Sequence, residues 1–256
     1  MNCFSKLKIL FVLLTLLISS CVSKKKLILV QDLTDYDISK VTSSQTTLQE
    51  NDILKIDVTS LELKASIPYN KAQPQGLASN SLALLQLNGY LVSKNKTINF
   101  PVLGEISVTG KTAKDLEMYL KNLLESGGHL IEPKVTVRLI NSKFTILGEV
   151  GNQGTYSFTE KNITLLQALG MAGGLTIDGD RKNVTIIRES NGQRTSINLD
   201  LTSASFLVSP YQNIQPNDVI IINPNPKKVK SAGLVGDIPT VLRIVSVLLS
   251  TIILIR

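Results

Sequence analysis

Cys21 is the residue whose type and position invite a defined covalent chemistry. Lys6 and Lys8 give a short basic start, Ile9 to Ile18 is apolar apart from Thr15, and the small pair Ser19-Ser20 stands directly before the thiol. A charged segment, an apolar segment and a small-residue cleavage site, in that order, make a secretory signal. The apolar run is too short to cross a hydrocarbon core of roughly 30 Å. "LISS" before Cys21 matches a lipobox, so residues 1–20 are expected to be a signal peptide and Cys21 the acylated first residue of the mature chain. Two or three acyl chains, at ~0.8 kcal/mol per buried methylene, hold such a protein on a membrane. The alternative is ordinary cleavage with an incidental thiol.

The other candidate groups do not assemble into a reactive site. His129, the only histidine, follows Gly127-Gly128 and has neither a second histidine nor a mature thiol near it, so it reads as a loop residue rather than a metal ligand or a base. Asp178 and Asp180 flank Gly179 without the spacing of a calcium loop and read as loop solubility. "GNQG" and "AGG" lack the strand–GxxxxGK[ST]–helix setting of a phosphate cradle. No catalytic residues, cofactor or metal are expected, and a hydrolase is disfavoured.

Composition narrows the class. Loss of residues 1–20 leaves Cys21 as the sole cysteine, so no intramolecular disulfide is available. The net charge falls from +7 to +5 with Lys6 and Lys8 removed. No basic face with interleaved aromatics appears and tryptophan is absent, which argues against nucleic acid. Lys24, Lys25 and Lys26 form a basic segment next to the expected lipid. About 200 residues remain between the two ends, enough for two domains.

The far end carries a second signal. Ile238 to Ile255 is apolar except for Thr240, Arg243, Ser246, Ser250 and Thr251. As a helix it reaches roughly 27 Å, about one hydrocarbon thickness. At 100° per residue the five polar side chains fall within an arc of roughly 140°. Arg243 in lipid is costly unless it faces water or a partner. A ring of identical helices with this stripe turned inward satisfies it and lines a pore; a plain anchor with Arg243 reaching the nearby surface is the other reading.

Between these ends the chain is strand-rich. Leu54, Ile56 and Val58 alternate with polar residues across Asp52–Ser60 as a half-buried strand, and residues 66–81 read as an irregular loop. Short strands follow, broken at Asn88-Gly89, Asn95, Pro101, Gly104 and Gly110. Thr112 and Asp115 cap a helix whose apolar positions are Leu116, Tyr119, Leu120, Leu123 and Leu124, ended by Gly127-Gly128. Val135, Val137 and Leu139 mark another strand. A second unit begins near Lys143 with a strand over Phe144–Val150. A helix starts at Asn162 or Thr164 and ends at Gly173-Gly174. Val184–Arg188 and Thr195–Leu199 flank Asn191-Gly192 as a hairpin, and "NIQPNDVIIINP" is a turn feeding a buried strand. Strands, one helix, a hairpin and a closing strand describe a β-grasp unit.

Two runs carry a family resemblance. "GYLVSKNKTINFPVLGEISVTGKTAKDLEMYL", within "LQENDILKI" to "EPKVTVRL", has a glycine-led strand, Pro–x–x–Gly, Gly–x–Thr and a helix. "TILGEVGNQGTYSF", "TLLQALGMAGGLT", "VTIIRESNGQ", "INLDL" and "IQPNDVIIINP" follow it. Over about residues 45–224 the chain resembles the bacterial polysaccharide biosynthesis/export family, the Wza-like outer-membrane export lipoproteins with an SLBB (soluble-ligand-binding β-grasp) domain. Asn51-Asp52 stands where Gly-Asp is usual, and Asn152-Gln153-Gly154 where a Pro-Gly turn is usual; both keep turn chemistry.

The resulting expectation is an α+β chain in six segments. They are a signal peptide (1–20), a lipidated tether (21–44), an export domain (45–142), an SLBB β-grasp domain (143–224), a linker (225–237) and one C-terminal membrane helix (238–256). The resemblance implies an outer-membrane lipoprotein with its domains in the periplasm, assembled as a homo-oligomeric ring of roughly eight copies. It also implies a capsular or extracellular polysaccharide as cargo and an inner-membrane co-polymerase or tyrosine-kinase partner. The competing class is a monomeric, membrane-tethered glycan-binding β-grasp module with a plain C-terminal anchor.

Overall fold

The computed structural model describes residues 27–35, 46–71, 82–160, 162–190, 192–232 and 238–255. Residues 1–20, expected as a signal peptide, and Cys21 lie outside the described residues, as does Asn191 of the expected hairpin turn.

Strand β1 (Ile53–Thr59) buries Leu54, Ile56 and Val58 on one face, as its alternation dictates. Two short helical pieces follow, α1 (Leu63–Ser66) and a 3₁₀ turn (Ile67–Tyr69), then α2 (Leu82–Leu87); none of the three was expected. Strands β2 (Tyr90–Leu91), β3 (Thr97–Phe100) and β4 (Gly104–Ser107) lead to helix α3 (Ala113–Ser126) and strand β5 (Lys134–Leu139). Strands β2, β1 and β5 form an antiparallel sheet with β1 central, and β3 pairs with β4 as a hairpin.

Helix α3 begins where a full capping box forms. The Thr112 hydroxyl accepts from the Asp115 N–H at 3.2 Å, and the Asp115 carboxylate accepts from the Thr112 N–H at 2.9 Å. Leu116, Leu120 and Leu124 are fully buried against the sheet. Tyr119 departs from the expected apolar face: it stays exposed, with the Lys111 ammonium 4.7 Å from its ring centre.

The second domain opens with β6 (Lys143–Gly148) and β7 (Gly154–Ser157), then β8 (Ile163–Thr164) and helix α4 (Leu165–Met171), again behind a capping box, Thr164 with Gln167. Strands β9 (Gly179–Ser190) and β10 (Gln193–Leu199) form the hairpin. After a 3₁₀ turn (Ala204–Val208) come β11 (Asn213–Ile214) and β12 (Val219–Pro224). The sheet order is β10-β9-β12-β6-β7, with β6 and β12 parallel and the other pairs antiparallel. First and last strands side by side in parallel are the β-grasp arrangement the sequence pattern suggested. Gly148 lets them close: a Cβ there would stand 2.1 Å from the Ile222 carbonyl oxygen. Each domain has its own apolar core, one around Phe100, Leu116 and Leu120, the other around Phe144, Ile146 and Ile186.

The segment expected as a linker opens with helix α5 (Pro226–Ser231). Helix α6 (Ile238–Ile255) forms over the expected eighteen residues. The expectation that it is a membrane span is not supported: among the described residues no helix is long and apolar enough to cross a membrane.

Candidate functional site

The polar stripe of α6 resolves into two kinds of group. The Ser246 hydroxyl donates to the Arg243 carbonyl at 2.8 Å, the Ser250 hydroxyl to the Ser246 carbonyl at 2.8 Å, and the Thr251 hydroxyl to the Val247 carbonyl at 3.1 Å. Such bonds to the preceding turn satisfy a hydroxyl without a second helix. These three hydroxyls are therefore satisfied within their own helix. Arg243 is exposed and, among the described residues, has no side-chain partner, so it is the charge that the helix cannot neutralise alone. Thr240 lies in the first turn.

Residues 29–32 and helix α5 both fasten to the second domain. The Val30 N–H donates to the Leu201 carbonyl at 3.0 Å and the Gln31 N–H to the Thr202 carbonyl at 2.8 Å, while Leu29 and Val30 pack against the second core. The Asp32 carboxylate accepts from the Ala204 N–H and, at 2.8 Å, from the Ser203 hydroxyl. The Ala204 N–H, followed by the Ser203 hydroxyl, holds its pKa below the ordinary carboxylate value. At the other end Asn225 caps α5 through the Lys228 N–H at 2.9 Å, and the Lys228 ammonium meets Asp178 at 3.0 Å. Asp178 is thus a docking point for α5 rather than a bare loop charge.

Two turns of the same design, one per domain, were not recognised as related in the sequence. Leu48-Gln49-Glu50-Asn51-Asp52-Ile53-Leu54 precedes β1, and Ile214-Gln215-Pro216-Asn217-Asp218-Val219-Ile220 precedes β12. In each, the asparagine has φ of +67°, which asparagine tolerates better than most residues and which explains why Asn51 serves where glycine is usual. In each, the aspartate carboxylate accepts from the glutamine N–H at 2.8 Å, and the aspartate N–H donates to the glutamine carbonyl at 3.2 Å. The shared Gln-x-Asn-Asp spacing was the signal available.

The two aspartates differ in what completes them. Arg188 Nε donates to Asp218 Oδ1 at 2.9 Å and Nη2 to Oδ2 at 2.7 Å, with Nη2 also reaching the Asn213 carbonyl at 2.9 Å. Tyr211 covers the guanidinium at 4.7 Å. Burial raises the Asp218 pKa, and the Arg188 hydrogen bonds and charge oppose that. Asp52 is 6% exposed, and among the described residues nothing donates to its Oδ1. Burial pushes its carboxyl up to about 6, against the Gln49 N–H. Asn141, at the junction of the domains, clamps the first turn: its amide donates to the Asn51 carbonyl at 2.8 Å and accepts from the Ile53 N–H at 2.9 Å.

His129 is an exposed residue after α3, its Nδ1 3.1 Å from the Tyr69 hydroxyl. Asp180 accepts from the Lys182 N–H at 3.0 Å. Among the described residues no group of His, Cys, Asp and Glu is placed to hold a metal ion.

Comparison with known proteins aligns with these two domains. Residues 40–140 match the polysaccharide biosynthesis/export protein family, and residues 142–222 match the SLBB domain. The chain is 30% identical to the capsule polysaccharide export outer membrane protein CtrA of Neisseria meningitidis over 164 residues, 62% of this chain and 40% of that protein. It is 32% identical to the EPS I polysaccharide export outer membrane protein EpsA of Ralstonia nicotianae over 106 residues, 40% of this chain and 27% of that protein. It is 28% identical to the capsule polysaccharide export protein BexD of Haemophilus influenzae over 158 residues, 59% and 38% of the two chains. The chain spans at most about two fifths of the length of these relatives.

Proposed function

Because the chain belongs to the polysaccharide biosynthesis/export family, we propose that it is a ring-forming subunit through which capsular or extracellular polysaccharide leaves the periplasm across the outer membrane. Acylated Cys21 holds each copy on the membrane, and the export and SLBB domains stack as periplasmic rings. The cargo contacts no catalytic group, and the inner-membrane partner is a co-polymerase or tyrosine kinase, as the resemblance implies. The observation that supports this reading is that the segment after Cys21 and the segment before α6 are held by the same domain. Leu27 begins a strap bound to the SLBB domain, only six residues after Cys21, a reach of about 20 Å. Helix α5, which precedes α6, is pinned to the same domain through Asp178. In this reading the SLBB ring lies next to the lipid and the export domain away from it.

In the ring, α6 of each copy turns Thr240, Arg243, Ser246, Ser250 and Thr251 to a common lumen. Side by side in a closed ring the helices give one another a wet face, and the Arg243 charges are solvated there. Identical subunits provide this through a closed head-to-tail interface, with roughly eight copies by family resemblance. The self-satisfied hydroxyls of α6 favour a second reading, a monomeric tethered glycan-binding module with α6 as a plain anchor. The mass of the full chain extracted in mild detergent separates the two: a discrete ring supports the channel, and a monodisperse monomer with α6 intact supports the module.

A further inference from the structure

Gln49 to Asp52 of the first turn and Gln215 to Asn217 of the second line one cleft between the export and SLBB domains, of about 1140 Å³. That exceeds the roughly 300–1,000 Å³ typical of small-molecule pockets, which suits an oligomer rather than a single small ligand. Its walls are dominated by neutral groups that both donate and accept, among them Gln49, Asn51, Thr136, Asn162 and Asn217. Five carboxylates against three cations line it, so it offers no attraction to a polyanion. A polyhydroxylated chain of neutral sugars has the matching chemistry: many alternating donors and acceptors, no net charge, and a length that fills a groove.

The twin turn supplies an internal control for what is missing. Asp218 has Arg188 built in, with both carboxylate oxygens served. Asp52, in the same turn geometry but, unlike Asp218, within the lining, has the Gln49 N–H on Oδ2 and, among the described residues, no donor on Oδ1. A carboxylate oxygen that lines a cleft and receives no donor from the described residues is open to a ligand hydroxyl. We propose that the cleft is a groove for neutral glycan, separate from the axial lumen, in which Asp52 Oδ1 accepts a hydrogen bond from a sugar hydroxyl.

This inference rests on the polysaccharide-handling reading above, and its failure is distinguishable from failure of that reading. The full chain in detergent is titrated with chitohexaose, a neutral N-acetylated hexamer, and with a galacturonate hexamer as the anionic counterpart, while the same variants are tested for export in cells lacking the native copy. The expected result is saturable chitohexaose binding, at least tenfold weaker for galacturonate. Asp52→Asn, which keeps an acceptor for the Gln49 N–H, weakens chitohexaose binding at least tenfold. Asn162→Trp, at an exposed wall position, abolishes binding without changing the melting temperature. The inference is overturned if wild type binds neither probe saturably, or if both variants bind as wild type does. It is equally overturned if both variants instead break the oligomer, which would assign the cleft to a neighbouring copy. Cells that export normally without any copy of the protein would sink the export reading itself, whatever the titration gives.

Discussion

Arg188 and Asp218, thirty residues apart in the chain, meet inside the SLBB domain as a two-point ion pair, Nε to Oδ1 at 2.9 Å and Nη2 to Oδ2 at 2.7 Å, with side chains almost wholly withdrawn from water. The pair ties β9 to the turn that launches β12, the strand at the centre of the β-grasp sheet. Breaking it strands one buried charge.

Arg188→Ala or Asp218→Ala should each destabilise the chain by about 3–5 kcal/mol, because the remaining partner keeps its burial and loses its counter-charge. Arg188→Met combined with Asp218→Leu should recover much of that loss. Denaturant unfolding of the three variants checks it; a double variant as unstable as the singles would contradict the account.

Asp52 sets a pH dependence of the opposite sense from a salt-bridged carboxylate. Its folded pKa, about 6, lies above the ordinary 3.8, so the folded state holds the proton longer than the unfolded one. The penalty is absent below about pH 4, grows as pH rises towards 6, and is constant above it. At 1.36 kcal/mol per decade it reaches about 3 kcal/mol. Asp52→Asn should therefore stabilise the protein by about 1–3 kcal/mol at pH 7.5 and hardly at all at pH 4. Thermal melts of both proteins across this range test the sign, and a larger gain at pH 4 would contradict it.

The strap rests on Asp32. Asp32→Ala should speed amide exchange at Val30, Gln31 and Ala204 while leaving β6 and β12 protected. Its pKa is depressed, so the contribution is present above the ordinary carboxylate value and fades as pH falls through the lower folded value. Protection factors at these amides in the wild type, which allow for the slower intrinsic exchange in acid, should fall on acidification below pH 4, and unchanged protection in the variant would remove Asp32 from the account.

Tyr90 is buried in the export domain with its hydroxyl lacking a hydrogen-bond partner among the described residues. Burial pushes its pKa up to about 12. Tyr90→Phe deletes that group and keeps the ring stacked 5.6 Å from Phe100, so stability should be unchanged or higher by about 1 kcal/mol. A clear loss in denaturant unfolding would reveal a partner for the hydroxyl.

What was readable in the sequence was local. Thr112 with Asp115 and Thr164 with Gln167 announce helix starts because a cap needs only a four-residue window. Alternation at Leu54, Ile56 and Val58 announces β1 for the same reason. The short α1 and α2 carry no such signal: four and six residues are too few to display a period. Strand β9 runs to twelve residues rather than five because Gly179 pairs with Pro224 beyond an irregularity, a tertiary event. The arc of polar residues on α6 was legible from angles alone, but the return of three hydroxyls to their own helix backbone depends on rotamers. The Arg188–Asp218 pair and the strap at Asp32 join residues 30 and 171–172 positions apart, and no pattern in one sequence marks such partners.

The central claim, that copies of this chain form the route by which polysaccharide leaves the periplasm, is tested most directly by the amount of surface polysaccharide on cells whose only copy ends at Asp237. Membrane fractionation must first establish that the truncated protein is retained with the full chain. The account predicts loss of surface polymer and its accumulation in the periplasm. Normal surface polysaccharide from the truncated copy would contradict it.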